Sequence, residues 1–557
     1  MSDRKRANNF LIQGSILAIA SLLVRVIGLI YKIPLQRIIG TEGMGVYSAA
    51  FYVYGIALLL SSYSIPLAVS RLVAVRRAKK EHRNSYRIFL CAMCIAFTTG
   101  LLAMLIIFFG AETIAKLMGY PDSALSLRVL APTIFVFAIM GVLRGYFQGK
   151  NTMIPTAVSQ VLEQLVNAVV SIVAAYFLME HYKDKTNAIA YGAAGSTLGT
   201  LSGAIISLVF LLFVFVTYKP TINRQNRKDR SENRESYQLV FKLLLITMAP
   251  VILSQTVFQI SGLIDTTMFG NMMMEKLITF SDNEVLKSTV GIAYTTSNIN
   301  ILTGIYSNNY MTLVNVPIAI ATAMGAASIA SLSADHANGD YDGVRSKVKA
   351  SIKFNMLIAI PSAVGMGVLA APIMEIVWHD NSRLSANVMV LGCISIVFYA
   401  LSTISTAVLQ GINKMNVPLI NSAISLVIHI VIVFCLLKFT SLSVFALVIG
   451  NVTFPLVVCI LNWLSVEKYL DYQQEVVRTF VIPTVSAGIM GVLAGLSYWG
   501  LHTLTDNVMI SLVLSVILGV VIYFLLLIFL KGINEEELSV VPKGEAFVKL
   551  LKKVHLL

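Results

Sequence analysis

The sequence predicts an all-α polytopic membrane protein with fourteen transmembrane helices, and three observations carry that prediction. Apolar residues fill 57% of the 557 positions and charged residues only 13%, where soluble domains carry about 25% charged residues. Mean hydropathy is +0.79 over the whole length, which a single anchor of about 20 apolar residues could not produce. Apolar segments also recur from end to end, near 10–39, 45–70, 86–110, 124–147, 153–179, 187–217, 239–269, 301–333, 352–378, 386–410, 416–437, 441–464, 478–500 and 507–530. A barrel would show short alternating segments and irregular backbone cannot face lipid, so each span is read as a helix. This composition argues against a water-soluble enzyme.

The first span begins near Phe10, is too long for the apolar core of a signal peptide and lacks a small-residue cleavage site, so it is expected to stay in place. Cys91, Cys94, Cys393, Cys435 and Cys459 all fall inside apolar runs and read as small membrane residues, not as metal ligands. A net charge of +14 would point a soluble protein toward nucleic acid; here it reads as an orientation signal, with no nucleic-acid partner expected. Arg4 to Arg6, the run Arg71 to Arg87 after span 2, Arg224 to Arg234 after span 6, Arg345 to Lys353 after span 8 and Lys543 to Lys553 in the tail alternate onto one side. That side is the cytoplasm, so both termini are expected there.

The polar linker 218–237 separates an N-lobe, 1–217, from a C-lobe, 238–465; residues 466–531 form two accessory helices and 532–557 a cytoplasmic tail. The lobes read as copies. Gly45-Val46-Tyr47-Ser48 matches Gly304-Ile305-Tyr306-Ser307 at an offset of 259. Phe147-Gln148-Gly149-Lys150-Asn151-Thr152-Met153 matches Leu409-Gln410-Gly411-Ile412-Asn413-Lys414-Met415 at an offset of 262. Six helices per copy is an even number, so both copies insert alike, as in one class of transporter repeats.

Arg25 in span 1, Glu163 in span 5 and His429 in span 11 fall near the membrane midplane, where an ionisable group is expensive and marks function by default. Arg144 and Asp265 lie nearer span ends, where snorkelling accounts for them. Gly14, Ala18, Ser21, Arg25, Gly28 and Lys32 form a small, basic stripe on span 1. Thr156, Gln160, Glu163, Asn167 and Ser171 share one face of span 5. Gln255, Gln259, Gly262 and Thr266 do so on span 7, and Ser422, Ser425 and His429 on span 11. Any one stripe is accounted for by helix packing; four together favour a hydrated cavity. Arg25 and Lys32 suit an anionic group, guanidinium being a bidentate partner for phosphate, and the stripe leaves Arg25 open also to pairing with Glu163. For His429 a satisfied imidazole and a proton-coupling role both stand. The basic loops read as topology and surface charge, and the outer loop 271–298 as a mobile flap.

The runs Arg25-Val26-Ile27-Gly28-Leu29-Ile30-Tyr31-Lys32-Ile33-Pro34, Ile39-Gly40-Thr41-Glu42-Gly43-Met44-Gly45-Val46-Tyr47, Leu143-Arg144-Gly145-Tyr146-Phe147-Gln148-Gly149 and Pro155 to Gln164 resemble the polysaccharide biosynthesis exporters of the MOP (multidrug/oligosaccharidyl-lipid/polysaccharide) superfamily, and most of all its SpoVB/YtgP-like branch. The resemblance covers about residues 10–530. It implies two pseudo-symmetric six-helix lobes in a V shape plus two C-terminal helices lining a groove for a polyprenyl tail. It also implies alternating access in a bacterial cell membrane and transport of undecaprenyl-linked sugar intermediates, related MurJ-type members flipping lipid II. Arg25 matches the first basic residue of the MurJ-like first-helix pattern. The second arginine is Tyr31 here, with Lys32 alongside, and the Asp-Arg pair of the eighth helix is Asn308-Asn309. Some relatives bind sodium through an acid on helix 7 and polar groups on helix 11, for which Asp265, Asn421 and Ser425 are the nearest residues.

The expected function is therefore a monomeric flippase, not an enzyme, holding a diphosphate-bearing sugar headgroup through Arg25, Lys32, Gln160, Glu163, Asn167, Gln255, Gln259, Asn308, Asn309 and His429 while the tail stays among the membrane lipids. No cofactor is expected; sodium, protons or the membrane potential could drive it. The rival readings are a MATE-like cation or drug antiporter, which would want acidic groups in the cavity, and a membrane enzyme of cell-envelope polysaccharide assembly, which would want a large external loop.

Overall fold

A computed structural model describes residues 16–17, 19–229, 231, 234–279 and 296–533, and every regular element among them is helical. In chain order these are α1 (Ile19–Ile30), α2 (Lys32–Leu58), α3 (Ser64–Ala78), α4 (His82–Met118), α5 (Ala124–Gly149), α6 (Ile154–His181), α7 (Ala188–Lys228), α8 (Tyr237–Thr279) and α9 (Thr296–Gly304). They continue as α10 (Met311–Ala337), α11 (Tyr341–Val368), α12 (Ala370–Trp378), α13 (Arg383–Gly392), α14 (Ser395–Gly411), α15 (Asn416–Phe439), α16 (Val444–Leu470), α17 (Ile482–Thr505) and α18 (Val508–Phe529). Short π-helical turns at Leu59–Tyr63 and Ile305–Tyr310 join α2 to α3 and α9 to α10.

Eleven helices among the described residues are long and apolar enough to cross a membrane, so the chain is a multi-pass membrane protein. The expected count of fourteen is not confirmed. Among the described residues spans 1, 7 and 8 give no long apolar helix of their own, and all three run over positions or side chains outside the described ones. The helices also depart locally from the expected spans. Spans 1 and 2 merge into a run broken at Gly40, whose φ of 69° and ψ of 174° leave the helical region. Span 8 is interrupted by the π turn Ile305–Tyr310, and span 9 splits at Leu369 into α11 and α12. The basic residues Arg4 to Arg6, the positions Gly14 and Ala18, most of the 271–298 loop and the cations of the tail lie outside the described residues.

The chain falls into two compact units. Among the described residues the first comprises those up to 279 together with 296–304, and the second those from 305 to 533. This packing boundary differs from the repeat boundary at 218–237 because α8 packs on α3 and α4, and α9 on α2. In the first unit Ile65, Val69, Ile88, Phe89, Tyr146, Leu211 and Val240 form one apolar core across α3, α4, α5, α7 and α8. A second core joins Leu35, Ile39, Met44 and Tyr47 to Ala175 and Ala193. In the second unit the two terminal helices dock on α11: Gly491 sets α17 close to Val364, and the Tyr523 hydroxyl of α18 donates to the Leu357 carbonyl at 3.1 Å. Phe109, Phe177, Phe213, Trp499 and Phe529 stand exposed on these helices, the outside-in polarity of a lipid-facing surface.

The repeated turns fold alike. Asn151 (φ 58°) and Asn413 (φ 61°) both take the left-handed conformation that ends a helix. The next amide donates back in each, Thr152 to the Phe147 carbonyl at 3.1 Å and Lys414 to the Leu409 carbonyl at 2.8 Å. Gly149 lets α5 approach Ser70 and Val73, while Gly411 lets α14 approach Leu332, which stands at the same 262-residue offset from Ser70. The other repeated motif also meets its copy inside the first unit: the Gly45 α-carbon faces the Asn300 carbonyl and the Gly304 α-carbon the Thr41 carbonyl.

Candidate functional site

The charged centre of the first unit is built on α5, α6 and α7. Arg144 is 9% exposed; its Nε donates to Ser159 Oγ at 2.9 Å, and its Nη2 to Glu163 Oε2 at 2.8 Å and to Ser207 Oγ at 3.0 Å. Glu163 is therefore paired with Arg144, and the pairing of Glu163 with Arg25 is corrected. Snorkelling is likewise the wrong account of Arg144. It lies five residues before the end of α5, but its guanidinium turns inward to α6 and α7 instead of out to water. Removing one partner of such a pair would strand the other charge.

The α6 stripe divides along its length. Thr156 and Ser171 are fully buried, and Asn167 Oδ1 accepts from Ser171 Oγ at 3.0 Å and Thr200 Oγ1 at 3.4 Å. Gly199 of α7 abuts Ser171 and Asn167, and Gly203 the Glu163 carbonyl, so this part of the stripe packs helix on helix. Between those ends Gln160 and Glu163 are half-buried, and Gln160 Oε1 makes no hydrogen bond. On α1, Gly28 lies against Gln164 of α6, and Arg25 shares that face one turn earlier. Arg25 is exposed and forms no ion pair or hydrogen bond with the described residues. Lys32 is half-buried at the start of α2. On α8, Gln259 is exposed, Asp265 is buried, and the Gln255 side chain lies outside the described residues.

In the second unit the site residues are committed to internal bonds. Asn308 and Asn309 are both 0% exposed in the π turn. Asn309 Nδ2 donates to Asp380 Oδ2 at 3.0 Å and Ser385 Oγ at 3.3 Å, while its carbonyl accepts from Trp378 Nε1 at 3.1 Å. These bonds tie the turn to α12 and α13 in place of lining an open surface. His429 is buried, with Nδ1 3.0 Å from the Gly450 carbonyl and its ring edge-on to Phe454. Asn421 Nδ2 donates to Asn462 Oδ1 at 2.9 Å, and Ser425 Oγ to the Phe454 carbonyl at 2.7 Å. For sodium Asn421 and Ser425 fit poorly, since both side chains already serve α16 and α15 has no carboxylate.

With this geometry in view, a family model described as "Polysaccharide biosynthesis protein" matches residues 11–334, more than half of the chain. The chain belongs to the polysaccharide biosynthesis protein family. A second model, MatE, matches 308–435. This family member is 26% identical over 547 residues to Stage V sporulation protein B of Bacillus subtilis (strain 168), covering 96% of this chain and 98% of that one. It is 23% identical over 513 residues to the Lipid II flippase MurJ of the same organism, covering 88% of each. Among solved structures, that of the Lipid II flippase MurJ in an inward closed conformation superposes with a TM-score of 0.64 at 15% identity, over 92% of this chain and 97% of that one. An inward-facing multidrug resistance MATE family transporter of the MOP superfamily superposes at 0.59 with 14% identity, over 81% and 98%. The chain shares the fold of these two structures.

Sequence reasoning missed two polar centres of this family member. One is Arg144, whose signal was present in the spacing of Ser159 and Glu163, four apart on one helix face. The other is Asn462 of α16, fully buried, which bonds Asn421 and donates to Ser405 Oγ at 3.2 Å and Thr406 Oγ1 at 3.0 Å. It sits near the end of an apolar run with no polar stripe to announce it.

Proposed function

We propose that this protein is a flippase that carries undecaprenyl-linked, diphosphate-bearing sugar intermediates, lipid II or a related polysaccharide precursor, from the inner to the outer leaflet by alternating access. The observation that carries the reading is Arg25, a guanidinium on an apolar helix with no carboxylate among the described residues to neutralise it. A cation so placed favours an anionic headgroup. The acid that a cation antiporter would use, Glu163, is already neutralised by Arg144. The likeness to the Lipid II flippase MurJ over 88% of both chains supports the same direction.

In this reading the chain makes fourteen crossings with both termini in the cytoplasm and works as a monomer. Arg25, Lys32, Gln160 and Glu163 replace the hydration of a sugar diphosphate that would otherwise cross hydrocarbon at a prohibitive cost. The polyprenyl tail stays in lipid beside α17 and α18. No bond is made or broken. A negative interior favours outward movement of the anion by about 2.3 kcal/mol per charge per 100 mV, and sodium or proton coupling would add to that.

The test is flipping of a fluorescent undecaprenyl diphosphate sugar in proteoliposomes. Arg25→Ala is expected to lower the rate at least tenfold with insertion unchanged, and Arg25→Lys to recover part of it. Full activity of Arg25→Ala would remove the assigned role. The MatE match over 308–435 favours one rival, export of a cationic drug, which a dye-efflux assay in the same vesicles distinguishes.

A further inference from the structure

At the end of the first unit where the α3–α4 turn, the α5–α6 turn and the C-terminus of α7 meet, a cavity of about 350 Å³ is lined by Lys79, Lys80, His82, Lys228, Asp229 and Ser231. Behind it, across His82 and Gln225, a space of about 10 Å³ ends on Arg77 and Lys150 and admits about one water. Three lysines thus line the larger hollow, and two further cations line the small space behind it. Arg77 Nη1 is buried and makes no hydrogen bond. Lys150 is 7% exposed; its ammonium lies 4.7 Å and 4.8 Å from the ring centres of Tyr146 and Tyr218 and reaches Gln225 Oε1 at 3.4 Å.

One acid, Asp229, lines the cavity itself, while Glu81 and Glu235 are engaged elsewhere. Asp229 accepts from the Arg83 amide at 2.7 Å and the Ser231 amide at 2.8 Å. Glu81 accepts from Asn84, and Glu235 pairs with Arg76 at 2.8 Å. No carboxylate among the described residues pairs with Arg77, Lys79, Lys80, Lys150 or Lys228. Burial, and then the charge of Arg77, push the Lys150 ammonium down to about 8 from the ordinary lysine value. Lys80 takes a left-handed φ of 61°, where glycine would be unstrained, so a long cationic side chain is held at the rim against the backbone preference.

We propose that this basic cavity binds a phosphate-bearing anion, a diphosphate or a doubly ionised phosphate monoester. The class follows from charge and depth. Several convergent ammonium groups are offset better by a dianion than by a carboxylate, and lysine serves phosphate as a point charge. The apolar run of α4 begins at Ile88, six residues or about 9 Å along the helix from His82, which sets the cavity at or beyond a headgroup layer some 5–7 Å thick. The phosphate therefore comes from solution or from a headgroup that stands clear of the bilayer. The site is separate from Arg25 and does not depend on the flippase reading.

The test is equilibrium binding of radiolabelled inorganic pyrophosphate to the full chain in zwitterionic nanodiscs. Saturable one-to-one binding that weakens with salt is expected, with at least a tenfold loss in the double variant Lys79→Gln, Lys228→Gln and near-full retention in Lys79→Arg, Lys228→Arg. Both positions are exposed, so the fold should tolerate them; unchanged thermal unfolding checks this. Non-saturable binding, or equal binding by the glutamine variant, overturns the proposal. A second arm repeats the titration in nanodiscs containing phosphatidylglycerol. Competition that is lost in the glutamine variant supports the site with lipid as the source, and undiminished pyrophosphate binding supports it with solution as the source.

Discussion

The α5–α6–α7 bundle and the α14–α15–α16 bundle share a turn, a glycine contact and a register, yet hold their polar centres by opposite chemistry. At the 262-residue offset Thr406 stands for Arg144, Asn421 for Ser159, Ser425 for Glu163 and His429 for Asn167. The first bundle is tied by an ion pair with two hydroxyl acceptors, the second by neutral amide and hydroxyl bonds around Asn462. Asn167 and His429 both abut a glycine of the following helix, Gly199 and Gly450. Backbone geometry has thus outlasted the electrostatics. What the two copies keep in common is the fit of their helices, and what sets them apart is whether breaking a contact strands a charge.

The largest expected effect sharpens that contrast. Glu163→Ala should cost about 3–5 kcal/mol by leaving the Arg144 guanidinium buried and unpaired, with the double change Arg144→Leu, Glu163→Leu recovering much of it. Asn462→Ala in the other bundle should cost only about 1–3 kcal/mol, the penalty of unsatisfied neutral groups. Thermal or denaturant unfolding in detergent measures both; equal losses would break the distinction. Next in size, Asn151→Ala and Asn413→Ala should each cost about 1 kcal/mol and the glycine variants nothing, because the left-handed turn is common to both copies. Unequal costs would deny that the turns are equivalent. The smallest effect is a pH slope peculiar to the first copy. Lys150 loses its proton near 8 when folded and at the ordinary lysine value of 10.5 when unfolded, so the unfolded chain binds more protons between those values. Stability should rise with pH across that window, the burial penalty being fully present below about 8, and Lys150→Met should flatten the rise relative to the parent.

The fold was legible because lipid imposes long apolar runs and because the repeated Gln-Gly-X-Asn turn survives as letters. Where the reading faltered, local pattern and tertiary position disagree. Arg144 looks like a snorkelling residue by its distance from the helix end, and only the placement of α6 and α7 reveals its partners. Asn308 and Asn309 read as cavity groups by analogy, but the π turn directs them at Asp380 and Ser385. The lysines and arginines after the second span read as an orientation signal, as such runs usually do. What the string of residues does not give is that the end of α7 and the α5–α6 turn close around them.

The meeting of Gly45 with Gly304 has a consequence for how the two matching motifs can drift. In an ordinary core a large residue and a small one can exchange places with the total volume kept. Here each missing side chain faces the other copy's main-chain carbonyl, which has no smaller alternative. Neither position can compensate the other, so the chain carries two independent vetoes over a single crossing.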